Sequence, residues 1–272
     1  MKSIFELENR LDINKEFEKI IQFLYEDEKA VLYAEDKNHV KGYSNLIEAI
    51  DKKVFLKWKY RDTFLNVEEY LEYIGIDYER TLLYGNNYIE KSSFLYFLEF
   101  LANMFLLIDK DCLIEVSAKA TAIAENIPRI LEKMNYKLKE LEDRIIITKR
   151  DSDVDSILGL VPNDMVDLLL EYNDFRIQKD ISAKKKILKA LDLYIEKNIK
   201  IKSFDNELDN SIGTIVNKMG INHPIKEEPY KSFTDSQLID WYDKCFLMMI
   251  HAIRMVEINK IKNERKELLT NK

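Results

Sequence analysis

Glycine and proline are the residues with which a chain leaves regular secondary structure, and this chain holds six glycines and four prolines in 272 residues. So few breaks imply a mainly α fold. Four of the ten, Gly213, Gly220, Pro224 and Pro229, crowd into one stretch, which reads as the principal non-helical loop. That loop also contains His223, one of only three histidines.

Apolar spacing fills in the helices. Phe17, Ile20, Ile21 and Leu24 recur at intervals of three and four behind Asn14, which reads as the cap. Ser44 opens a second segment through Leu46, Ile47 and Ile50, and residues 54–60 fit helix or strand equally. Asn66 with Glu69 makes a capping-box start and Gly75 a left-handed stop, enclosing a helix over 67–74. An apolar helix over 91–108 follows, then one over 116–134 that Asn126 and Pro128 should restart or bend.

Residues 136–140 alternate in polarity and 143–148 carry β-branched side chains, and the short polar connection between them predicts a β-hairpin. Beyond it the pattern gives helices over 152–158, 163–172, 181–200 and 204–219. After the glycine-proline loop, Thr234 and Gln237 form a capping box for a long final helix. Leu238, Trp241, Cys245, Met248, Ala252 and Met255 form one of its apolar stripes, and Tyr242, Phe246, Met249, Ile253 and Val256 another. Such a helix should lie between other helices or between subunits, with its polar end, 260–272, in solvent. The organisation expected is two packed helical domains, 1–134 and 151–272, with the hairpin, 135–150, as their junction.

The 46% hydrophobic content is enough for a substantial core. A net charge of -7 argues against general coating of nucleic acid, which needs a basic surface, and no DNA partner is expected. Cys112 and Cys245 lie far apart in apolar contexts, as reduced thiols of a cytoplasmic protein do, and supply neither a disulfide framework nor a zinc site. The first residues reach Glu6 before any apolar run, unlike a signal peptide. The apolar segment 93–108, interrupted by Glu99 and Asn103, falls short of the roughly 20 residues of a membrane span. No glycine-rich phosphate cradle, His-Glu-x-x-His or Gly-x-Ser-x-Gly motif occurs, so no cofactor is expected. Asp151, Asp153 and Asp155 lack the glycine and final glutamate of a calcium loop and suit a helix N-terminus, so no metal is expected either.

Chemistry is sought first at the loop. The residue before a proline is pushed out of the α region, so His223 should stand extended beyond the helix that Gly220 ends. It could serve as general acid or base, with Lys218 contacting a phosphate and Asn222 donating a hydrogen bond. The plainer reading makes Asn222 and His223 part of the helix end. His251 and Arg254, one turn apart on the final helix, could hold an anionic ligand or hydrogen-bond to acids of a neighbouring helix. Lys184, Lys185, Lys186 and Lys189 form a basic patch suited to phosphate or, more plainly, a solvated face, with Lys185 the contact candidate. His39 is placed in a polar turn.

After the hairpin and Glu171-Tyr172-Asn173, the ordered motifs Asp180-Ile181, Lys185-Lys186-Ile187-Leu188, Asn222-His223 and Trp241-Tyr242-Asp243 resemble bacterial abortive-infection proteins with a HEPN-like helical domain, over about 136–258. The resemblance implies a dimeric, metal-independent ribonuclease of phage defence with His223 as its acid or base. HEPN proteins place an arginine four to six residues before that histidine. Here Lys218 occupies the spacing, keeping the charge and losing the planar fork. The alternative is a non-catalytic interaction protein, such as a defence-complex subunit, an antitoxin or a phage-encoded inhibitor. The partners expected are a second copy or another protein, with RNA as the nucleic acid to test, and no membrane.

Overall fold

The structure, a computed structural model, describes residues 11–26, 31–36, 39–43, 45–77, 88–111 and 115–270. The fold is mainly α and divides into two compact units, Met1–Ile147 and Thr148–Lys272. Cys112 lies outside the described residues.

In the first unit, α1 (Ile13–Glu26) is capped by Asp12, whose carboxylate accepts the Lys15 amide at 3.2 Å. Asn14, expected as the cap, sits inside the helix, where its oxygen accepts the Ile89 amide at 3.0 Å. Strands β1 (Val31–Asp36), β2 (His39–Gly42) and, further on, β3 (Glu115–Val116) form an antiparallel sheet ordered β2-β1-β3. Sequence periodicity did not show this sheet, because its strands have two to six residues. His39 pairs with Asp36 and so opens a strand instead of lying in a turn.

Helix α2 (Leu46–Ala49) is capped by Asn45 and continues as a π turn, Ile50–Val54, and a 3-10 turn, Phe55–Lys57, so the ambiguous stretch is helical as far as Lys57 and leaves the helix at Trp58. Helix α3 (Val67–Tyr73) starts where its capping signal predicts: Asn66 accepts the Glu69 amide at 2.8 Å, and the Glu69 carboxylate accepts the Leu65 amide. Gly75, at φ +82°, turns the chain out, and the Ile76 amide closes back onto the Leu71 carbonyl at 2.8 Å.

Helix α4 (Lys91–Asp111) is longer than the sequence suggested, and by length and composition it could cross a bilayer. It is mostly buried instead, with Phe94, Phe97, Leu98, Phe100, Leu101 and Met104 in the core of this unit. Its two polar interruptions are structural. The Asn103 amide donates to the Ile145 carbonyl at 2.8 Å and accepts from the Ile145 N–H at 2.9 Å, while Glu99 accepts the Ile147 N–H at 2.8 Å.

Helix α5 (Ala118–Lys133), capped by Ser117, runs unbroken through Pro128. The hairpin follows as β4 (Tyr136–Glu140) and β5 (Ile145–Lys149). Its bonds to Glu99 and Asn103 fasten it to α4, so it belongs largely to the first unit and is not a separate junction. The boundary falls inside β5, later than expected.

The second unit holds α6 (Ser152–Ile157), α7 (Asn163–Tyr172), α8 (Ile181–Asn198), α9 (Asn206–Lys218) and α10 (Asp235–Thr270). Asp151, Asp180 and Asp205 cap α6, α8 and α9 through their carboxylates, and Thr234 and Gln237 make the expected box at α10. Leu188, Leu191, Val216, Cys245, Met249 and Ala252 are among its most buried residues. Gly213 lies inside α9, so the non-helical loop begins only near Gly220, at φ +89°. Helix α10 has 36 residues, about 54 Å by the usual rise, and every described side chain from Lys260 onward is exposed.

Candidate functional site: a cavity over a buried lysine

Helix α8 buries Lys184, Ile187, Leu188, Leu191, Asp192 and Ile195, positions three, four, seven, eight and eleven apart. Lys184 is thus on the core stripe, not on a solvated face. Its side chain is only 4% exposed, whereas Lys186 and Lys189 are exposed and Lys185 is half-buried. A buried ammonium requires compensation. It comes from α10, where Asp243 accepts from Lys184 Nζ at 2.5 Å, and from the Tyr172 ring at the end of α7, whose centroid lies 4.2 Å from the same nitrogen.

Tyr172 is fixed on three sides. Its hydroxyl donates to the same Asp243 oxygen at 2.9 Å, and its ring stacks on Phe246 at 3.8 Å between centroids and 13° between planes. Burial, together with the Asp243 charge, pushes the phenol far above its ordinary range. It therefore stays protonated and works as a donor, not as a base.

Above this pair lies a cavity of about 270 Å³, also lined by Lys149, Asp151, Asn173 and Gln178, with Leu247 and Ile250 as apolar wall. The Asp243 side chain lines this cavity and is 52% exposed, and both of its hydrogen bonds fall on one oxygen, leaving the other oxygen of the carboxylate open. Asp151 is similar: one oxygen caps α6 by accepting the Asp153 and Val154 amides, and the other receives only a long 3.5 Å contact from Asn173. The interior cation is engaged by Asp243 and the Tyr172 ring, and the cavity presents the open edges of two carboxylates, the Asn173 and Gln178 amides and the exposed ammonium of Lys149.

The sequence-derived candidates lie elsewhere. Lys218 pairs with Glu227 at 3.2 Å, both exposed. The Asn222 amide donates to Asp192 at 3.1 Å, and its backbone N–H closes onto the Val216 carbonyl, so it serves the helix end. Asp192 is held above the ordinary carboxylate range by burial, which the Asn222 bond partly offsets. His223 is exposed beyond Gly220, as the chain's bend there predicts. Arg254 donates to Asp153 at 3.1 Å and also to Ser156, tying α10 to α6, while His251 is exposed. None of His223, Lys218, Asn222, His251, Arg254 and Lys185 lines the cavity.

Burial pushes the Cys245 thiol up to about 12, as for an unreactive core cysteine. Among the described residues, no group of three or more His, Cys, Asp or Glu side chains is placed to hold a metal ion. The signal that sequence reasoning missed was periodic: Lys184 precedes Ile187 and Leu188 by three and four residues, and Asp243 lies beside the core residue Tyr242. No protein-family model, curated protein or solved structure matches this chain.

Proposed function

We propose that this chain is a non-catalytic helical interaction protein whose second unit captures a basic side chain of a protein partner in the Lys184–Asp243 cavity. The observation that carries this reading is the asymmetry of the ion pair. Lysine is buried against Asp243 and the Tyr172 ring, while aspartate is half-exposed and keeps a carboxylate edge open. An incoming arginine or lysine would meet that edge and Asp151, with its aliphatic stem along Leu247 and Ile250. The overall charge of -7 favours approach of a basic partner in the cytoplasm.

Fluorescence anisotropy with a labelled arginine-rich peptide and an acidic control of equal length tests it. Preferential binding of the basic peptide is expected, weakened at least fivefold by Asp243→Asn and by Leu247→Trp, which narrows the mouth without touching the buried pair. Equal affinity for both peptides, or indifference to both substitutions, refutes it.

A second reading retains the HEPN-like ribonuclease of phage defence, supported by the exposure of His223 just past the Gly220 turn. In it His223 serves as acid or base and Lys218, released from Glu227, meets the phosphate. Expression of wild type and His223→Ala, scored for growth arrest and RNA integrity, separates the two. Arrest and cleavage lost with His223→Ala favour the ribonuclease; full retention of both removes His223 from any mechanism.

A further inference from the structure

Helix α10 outlasts the core it packs on. Its last fully buried residues are Ala252 and Ile253, yet the helix runs to Thr270, and Ile258, Ile261 and Leu268 stand 36%, 58% and 75% exposed along this extension. Large aliphatic side chains in water on a projecting helix carry a hydration cost that a partner surface would remove. Their spacing says what kind of surface. Ile258, Ile261, Arg265 and Leu268 follow one another at three, four and three residues, the alternation that keeps one seam facing a second helix. In that register Ile258 and Arg265 occupy the first core position of successive heptads, and Ile261 and Leu268 the second.

The flanking charges choose the occupant and its direction. Glu257 and Glu264 precede the seam residues Ile258 and Arg265, and Lys262 follows Ile261. An antiparallel pair would set the positions of Glu257 and Glu264 against each other, glutamate on glutamate. A parallel pair sets Glu257 opposite Lys262 of the second copy, twice by symmetry. Glu257 meets only Lys260 of its own helix, at 3.4 Å and exposed, a contact weak enough to yield. Two arginines at the Arg265 level can turn outward to solvent; three around one axis would crowd like charges.

We propose that residues 258–268 of α10 form a parallel, in-register, two-stranded coiled coil with a second copy of this chain. The self-complementary charges select a like helix over an unrelated one, and the inference stands independently of the basic-partner reading.

Analytical ultracentrifugation of the full chain over a range of concentrations tests it. A concentration-dependent shift from the 32.4 kDa monomer to twice that mass is expected. Ile261→Asp should weaken dimerisation at least tenfold with unchanged helical circular dichroism, since the residue lies outside the core. Glu257→Lys and Lys262→Glu should each weaken it, and the double variant should recover it. Arg265→Cys should give an interchain disulfide on oxidation that wild type does not, because only the parallel in-register pair juxtaposes the two copies of this position. A monomer at every concentration, a dimer indifferent to Ile261→Asp, no recovery in the double variant, or a dimer that Arg265→Cys fails to cross-link would each overturn the proposal.

Discussion

Asp243→Ala and Lys184→Met each delete one end of a single ion pair, and the burial of the two ends assigns them different costs. Removing Asp243 strands an ammonium that is 4% exposed and takes the acceptor from the Tyr172 hydroxyl. Breaking a buried pair from one side costs about 3–5 kcal/mol, and an orphaned buried hydroxyl about 1–3 kcal/mol. The Tyr172 ring remains over the ammonium and water in the cavity reaches its tip, which returns part of this, so a net loss of about 3 kcal/mol is expected. Lys184→Met keeps the buried stem, and the aspartate left behind is 52% exposed, hydrated and still bonded to Tyr172. Its expected cost is about 0–1 kcal/mol.

Each unit carries one of the chain's two tryptophans, Trp58 and Trp241, so the assay can be restricted to the relevant half. The Trp58 indole nitrogen is buried with no hydrogen-bond partner, and a Trp58→Phe background therefore forfeits no hydrogen bond while leaving Trp241 as sole reporter. Urea titration in that background should move the Trp241 midpoint strongly for Asp243→Ala and little for Lys184→Met. Equal shifts, or a larger loss for Lys184→Met, would refute the assignment of Lys184 as the buried, dependent partner.

In the first unit, Asn103→Ala strips both hydrogen bonds from Ile145 and should cost about 2–4 kcal/mol, read by Trp58 fluorescence. Asp192 tests the sign of a raised carboxyl. The folded chain holds that proton more tightly than the unfolded chain, so its stabilising contribution is present below the ordinary carboxylate value of 3.8 and is lost as pH rises through the folded value. Asp192→Asn, which can still accept from Asn222, should match or exceed wild-type stability at pH 7 and flatten that decline, as thermal unfolding between pH 3 and pH 7 would register. A variant less stable at pH 7 with the slope intact would contradict the burial argument.

Local signals in the chain proved accurate where a few adjacent residues decide the outcome. The Asn66–Glu69 box, the Gly75 stop and the Thr234–Gln237 box all lie where their chemistry requires. Asn14 failed as a cap because Asp12, two residues earlier, offers a carboxylate to the same first turn. The β2-β1-β3 sheet escaped because two to six residues carry too little alternation to register. Glu99 and Asn103 looked like blemishes in an apolar helix, and their use emerged only when distant backbone groups of the hairpin reached them. Lys184 is hidden for a different reason: residue type and periodicity conflict there, and a lysine within a run of three reads as solvated although its spacing to Ile187 and Leu188 puts it on the buried stripe.

Helix α10 carries both the cavity wall and the proposed seam, and the distance between them decides whether they influence each other. Asp243, Leu247, Arg254, Ile258 and Ile261 fall on one stripe, so a mechanical or electrostatic link has a direct route. The fifteen residues from Asp243 to Ile258 span about 22 Å of continuous helix, well beyond the roughly 8 Å over which charge is felt at physiological ionic strength. Arg254, between them, is held to Asp153 and Ser156 and so fixes that part of α10 to α6 whatever the end of the helix does. The two sites should therefore be energetically independent: the basic peptide should bind Ile261→Asp and wild type with affinities within about threefold, and by reciprocity should leave the dimerisation constant equally unmoved. A tenfold change in either would mean that α10 shifts as a rod when one end is engaged, and the Arg254 anchor would be the first contact to examine.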